Sequence, residues 1–189
     1  MGSSLNKLAG TGDIAIDAAS SNLKLVQGNY NRKSGTLQIE KAGIVTLEPD
    51  TIADGVISDQ FGVVMALKNT LAKLDIATRR ATFTIDGSYL HTKDLELPAV
   101  KPEQLRDMVH YEVLGQSNTN RDMIVEYIVY GTIVDEETKQ TKYKVRATAI
   151  PKEIASDMRD LMKTCALTPV ALDVNPNAIR KLFHSGMIN

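Results

Sequence analysis

Two alternating runs joined by a short turn of small and polar residues open the readable part of the chain: DIAIDAASSNLKLV, Asp13 to Val26. In Asp13–Ala19 and again in Asn22–Gly28, apolar side chains fall on every second position, the period of a strand with one buried face. The turn AASSN is too short for anything but a direct reversal, so the two runs pair antiparallel. A third run, Thr36–Leu47, follows the loop NYNRKSG and extends the meander. Such a sheet folds only if something covers its apolar face.

Asp59–Leu74 is the predicted cover. Phe61, Val64, Leu67, Leu71 and Leu74 recur at helical spacing, and Asp59 is placed to cap the helix. Arg80–Ile85 reads as the next strand, closed by Asp86-Gly87. The pattern then restarts. Tyr89–Leu97 is a predicted strand stopped by Pro98, and Pro102 starts a helix with Leu105, Met108, Val109 and Val113 on one face. Met123–Val134 and Lys142–Ala149 are long strands joined by DEETKQT. In the second, Lys142, Lys144 and Arg146 alternate with Tyr143, Val145 and Ala147, so one face meets water. Pro151 is expected to open a helix aligning Ile154, Met158, Leu161, Met162 and Cys165. Thr168–Val174 is a strand, and a short helix runs from Pro176 to Gly186. The order is βββαβ, then βαββα, then βα. The middle block reads as an inserted subdomain, after which the last strand can rejoin the first sheet.

Composition narrows the function classes. Hydrophobic residues are 43% and charged residues 24%, ordinary for a globular protein. Lys plus Arg is 22 against 23 Asp plus Glu, a net charge of −1, which supplies no basic face for nucleic acid. A single cysteine, Cys165, allows no intrachain disulfide and points to a reducing, cytoplasmic setting. No run approaches the roughly 18 apolar residues of a membrane helix, so direct membrane insertion is not expected. The opening MGSSLN falls short of a myristoylation pattern at Asn6. It reads as the remnant of an expression tag, with residues 1–12 a flexible N-terminus.

Few residues carry a chemical signal. His91, His110 and His184 lack ligand spacing, so no metal site is expected. Cys165 lies on the apolar stripe of its helix and reads as a packing residue. Glu136 and Glu137 sit in a hairpin turn, where charge only confers solubility. Arg79 and Arg80 read as protection of a strand edge rather than an anion patch. No Walker loop, G-x-G-x-x-G, G-x-S-x-G or H-E-x-x-H occurs, and no catalytic residue is assigned. The opening turn is the exception. Asp17 ends a buried strand, where its charge needs a metal, a bound water or a donor. Ser20, Ser21 and Asn22 can donate toward phosphate oxygens and Lys24 adds a cation. A polar hairpin in which Asp17 and Ser20 satisfy nearby backbone is the competing account.

The stretch DIAIDAASSNLKLVQG resembles the first phosphate hairpin of the actin-like ATPase superfamily, D-x-G-S-S-S-x-K. The order of the phrases LQIEKAGIVTLEPDTIADGVISD, FGVVMALKNTLAKLDI, ATFTIDGSYLHTKDLELP, PEQLRDMVHYEV and KVRATAIPKEIASDMRDLMKTCALTPVALDVNPNAIRKLF is similar to the PilM family. These are the actin-like proteins of type IV pilus assembly, relatives of the division protein FtsA. The resemblance runs from Asp13 to Phe183. It implies an α/β, actin-like (ribonuclease H-like) fold: subdomain 1A over 13–87 and 166–186, interrupted by a βαββα subdomain 1C over 88–165.

It further implies a cytoplasmic scaffold at the inner membrane. The scaffold would bind the N-terminal peptide of a PilN-like membrane partner in a groove between 1A and 1C, with self-association a further option. In the full-length protein Asp17 would organise Mg through water, and Ser20, Ser21, Asn22 and Lys24 would face the phosphates of ATP. None is expected bound to this fragment, because no second phosphate hairpin occurs before Asn189 and the chain reads as the N-terminal half. A nucleotide-dependent switch and an FtsA-like filament are the alternatives. Sugar kinases share the superfold, but DLELP and DGVISD favour the pilus family. The family's glycine is here Ala19, after Asp17-Ala18, and forcing alanine to positive φ costs on the order of 1 kcal/mol. The helix after Pro102 also ends in GQSNTN, where the family has an acidic–aromatic ending.

Overall fold

The computed structural model describes residues 13–31, 33–115 and 122–184. The N-terminal segment 1–12, most of the GQSNTN loop and Gly186 lie outside the described residues. The described residues form two compact units, one spanning Tyr89–Ile154 and a second made of the chain up to Ser88 together with that from Ala155 onward.

The second unit holds a five-stranded sheet. β1 (Asp13–Ala19), β2 (Asn22–Asn31) and β3 (Thr36–Thr46) form the expected meander, and β6 (Arg80–Ile85) lies parallel to β1 on its other side. β10 (Thr168–Val174) pairs parallel with β6, giving the order β10-β6-β1-β2-β3. The last strand therefore rejoins the first sheet. A two-stranded hairpin, β4 (Ile52–Ala53) with β5 (Val56–Ile57), precedes helix α1 (Gln60–Lys73). The sequence reading missed it because two-residue strands carry no periodicity; its only mark is Asp54-Gly55.

One face of the sheet is the core. Ile14, Ile16, Leu23, Leu25, Phe83 and Ile85 are at most 1% exposed and occupy alternate positions of β1, β2 and β6. Val63, Val64, Leu67 and Leu71 of α1 are buried, as are Met158, Leu161 and Met162 of helix α3 (Lys152–Thr164). Phe61, expected in the α1 stripe, is 74% exposed, and Val63 takes the buried place. Asp59 caps α1 by accepting from the Gly62 amide at 2.9 Å. The end of α3 closes through Leu167 N–H to the Met162 carbonyl, with Ala166 at φ 57°. That is the αL cap usually given to glycine. Beside the bulge at Glu40 of β3, Gly28 of β2 approaches β3 so closely that a Cβ would lie 2.5 Å from the Gln38 carbonyl oxygen.

Arg80 does not protect an edge. β6 is interior, and Arg80 forms a bidentate pair with Asp13 at 2.8 and 3.3 Å. Arg79 donates to the Ile76 carbonyl at 2.9 Å.

The first unit is a three-stranded antiparallel sheet, β7 (His91–Pro98), β9 (Thr141–Pro151) and β8 (Met123–Val134), in the order β7-β9-β8. Helix α2 (Pro102–Leu114) packs on one face. Leu95, Leu97, Leu105, Val109, Val125, Val145, Ala147 and Ala149 form its core. Pro151, expected to open a helix, is instead the last residue of β9, opposite Met123, and α3 begins one residue later. On the other sheet face Asp94 and Arg146 pair in two contacts, 2.8 and 2.7 Å, with the guanidinium over the Tyr130 ring.

Candidate functional site

The β1–β2 turn is a two-residue loop, with Ala19 opposite Asn22 and Ser20-Ser21 between them. Ala19, Ser20 and Ser21 are not among the residues with positive φ. Ala19 therefore completes β1 in ordinary strand geometry, and the penalty anticipated for an alanine in a glycine conformation is not incurred. Ala18 is buried, at 4% exposure, because it points to the core side with Ile14 and Ile16.

The alternation that buries those residues sends Asp17 to the opposite face. Asp17 and Lys24 are cross-strand partners, and Lys24 Nζ lies 2.9 Å from Asp17 Oδ2. Thr84, paired with Asp17 across β6, donates its hydroxyl to Asp17 Oδ1 at 3.0 Å, with the Ile16 carbonyl also in reach at 3.3 Å. Each carboxylate oxygen thus has a protein donor. The buried-charge problem posed by the sequence is solved from β2 and β6, not by Ser20. Ser20 and Ser21 are exposed; Ser21 accepts from Asn22 Nδ2 at 3.2 Å, and its carbonyl accepts the Leu47 amide at 2.9 Å. Asn22 Oδ1 is buried without a hydrogen-bond partner.

One residue of this row escaped the sequence reading. Asp173, at the end of β10, pairs in register with the far side of Thr84. Its side chain is only 13% exposed. Its Oδ1 accepts from the Val174 amide at 2.9 Å and Asn177 Nδ2 at 2.7 Å, and its Oδ2 meets Lys181 of helix α4 (Asn175–His184). Lys24, Asp17, Thr84 and Asp173 therefore line up across β2, β1, β6 and β10 on one sheet face. The signal was an acid closing a strand in VALDVNP, the same pattern as Asp17 in DIAIDA. Only the parallel pairing through β6 brings the two acids into one row.

Cys165 is buried, its thiol pushed up by burial. That environment disfavours the reactive thiolate. Among the described residues no three metal-ligating side chains gather, and no helix is long and apolar enough to cross a membrane.

Solved structures with this fold include a chain of the PilM–PilN type IV pilus biogenesis complex. It is 14% identical, with a TM-score of 0.74 over 87% of this chain and 48% of that one. The cytoplasmic domain of EpsL, an inner-membrane component of the type II secretion system of Vibrio cholerae, matches at a TM-score of 0.54. It is 13% identical over 85% of this chain and 56% of its own. At these identities the likeness shows the fold, and the chain spans about half the length of each of these structures. The α/β, actin-like class expected from the sequence is borne out by them. A search of curated protein sequences returns no match. The family model described as type IV pilus assembly protein PilM covers residues 15–187, and the chain belongs to that family.

Proposed function

We propose that this chain is a scaffold of type IV pilus assembly that binds the cytoplasmic N-terminal peptide of a PilN-like inner-membrane protein, and is held at the membrane by that partner. The observation that carries the reading is the family match over residues 15–187, joined by the fold shared with a chain of a PilM–PilN complex. An extended peptide docking apolar side chains beside strand and helix residues is the physical mode such recognition takes. The balanced charge fits a protein partner better than a nucleic acid.

The test is calorimetric titration of the chain with a synthetic PilN-type N-terminal peptide, against a scrambled peptide of the same composition. Affinity around the micromolar range for the native order alone, about −8 kcal/mol, is expected. Equal heats for both peptides overturn the proposal.

A further inference from the structure

β3 ends its sheet, and among the described residues no strand pairs with its outer edge. An open edge is a template for a further strand, and charge on its exposed face is a common guard against that. Here that face is apolar. Lys24, Val26, Gly28 and Tyr30 of β2 stand opposite Ile44, Ala42, Ile39 and Leu37 of β3. Paired residues share a sheet face, so these four side chains of β3 lie with Lys24, on the side away from the core. Leu37 is 45%, Ile39 57% and Ile44 72% exposed, and Ala42 is exposed as well. The helix on this face, α4, packs on β10 and β6, at the other end of the sheet.

The two charges in the middle of the strand take the opposite face. Glu40 accepts from Gln27 Nε2 at 2.9 Å, and Lys41 meets Asp75 just past α1. Both lie there because Glu40 is the extra residue of the bulge: Lys41 pairs with Gln27, and Ile39 with Gly28. The bulge moves the apolar face from positions 37 and 39 to positions 42 and 44. That shift makes the strand complementary to itself. When two copies of β3 run antiparallel about a two-fold axis, like faces meet along the whole strand only if the bulges stand opposite one another. In that register Leu37 faces Ile44 of the second copy, Ile39 faces Ala42, and Glu40 faces Lys41, each contact occurring twice. We propose that β3 is a self-association edge, to which a second copy of this chain adds its own β3 antiparallel in this register. Backbone hydrogen bonds then continue one sheet across both molecules, the mode of strand addition. The inference stands apart from peptide binding, since its occupant is the chain itself.

Sedimentation equilibrium of the full chain tests it. A dimer with a Kd below about 100 μM is expected, and a chain still monomeric at about 1 mM overturns the proposal. Glu40→Lys sets lysines against lysines at the axis, and Lys41→Glu sets glutamates against glutamates. Each alone should weaken the dimer about tenfold, since like charges directly opposite repel. Mixed in equal amounts, the two variants restore opposite charges and should form a heterodimer close to the parent in affinity. Ile44→Gln, on the other face, should weaken the dimer about tenfold by removing apolar contact with Leu37. Variants that dimerise like the parent, or a charge-reversed mixture that stays monomeric, overturn the proposal. Ile44 is exposed and makes no ion contact, so its result stands even if a charge reversal disturbs the strand.

Discussion

Thr84 has a donor role that no local pattern in the sequence announces, and replacing it with valine removes that role while keeping the shape. Its hydroxyl serves Asp17 from 67 residues away. Asp17 is partly exposed, so water can replace some of the loss, and Thr84→Val should lower stability by about 1 kcal/mol. A urea midpoint unchanged within error would show that the hydroxyl does nothing for Asp17. Asp17 with Lys24 was half legible: partners across a two-residue turn follow from the hairpin itself. The remainder of the row was not, because Thr84 and Asp173 reach Asp17 through parallel pairing, which leaves no mark in neighbouring residues. Ala19 shows the opposite error. The family pattern suggested a strained turn, and the backbone simply continues the strand.

Elements with strong periodicity were read closely. Asp13–Ala19, Arg80–Ile85, Met123–Val134 and Thr168–Val174 were placed to the residue. Departures have local causes. Pro151 sits on an outer end of β9, where its missing N–H is harmless, so proline did not begin the helix. Phe61 matched the helical period but lies in the first turn of α1, and the period could not tell that its outward side faces water.

The β8–β9 turn shows how side chains fix an element's end. Asp135 accepts from the Thr138 amide at 2.8 Å and its hydroxyl at 2.9 Å, and it meets the Lys142 ammonium. Lys142 first, then Thr138, holds the Asp135 carboxyl far below its usual value of 3.8. A folded pKa below the unfolded one means the group binds protons less readily when folded. Its stabilisation is therefore complete above about pH 4 and is lost as pH falls through the folded value. Asp135→Asn should lower the urea midpoint at neutral pH and flatten its acid slope below pH ~4. If the variant and the parent lose stability in parallel down to about pH 2, the turn does not depend on that charge.

At the scale of the molecule, the family was legible because many weak phrases stood in one order, while the state of the hairpin depended on contacts that order does not encode. The turn that resembles a phosphate clamp has its charges already matched: Lys24 is on Asp17, and both Asp17 oxygens are taken. A phosphate would have to draw Lys24 away from Asp17. We therefore expect Mg-ATP to bind this chain negligibly. Binding to the folded state alone raises stability with ligand concentration, by about 2.7 kcal/mol at 100 times Kd. A site with a Kd of about 10 μM would thus raise the melting temperature by several degrees at about 1 mM Mg-ATP. No shift is expected, either for this chain or for Lys24→Met, in which Asp17 loses its cation. A rise of several degrees in the parent that disappears in Lys24→Met would mean that the hairpin holds phosphate after all, with Lys24 exchanging Asp17 for the ligand.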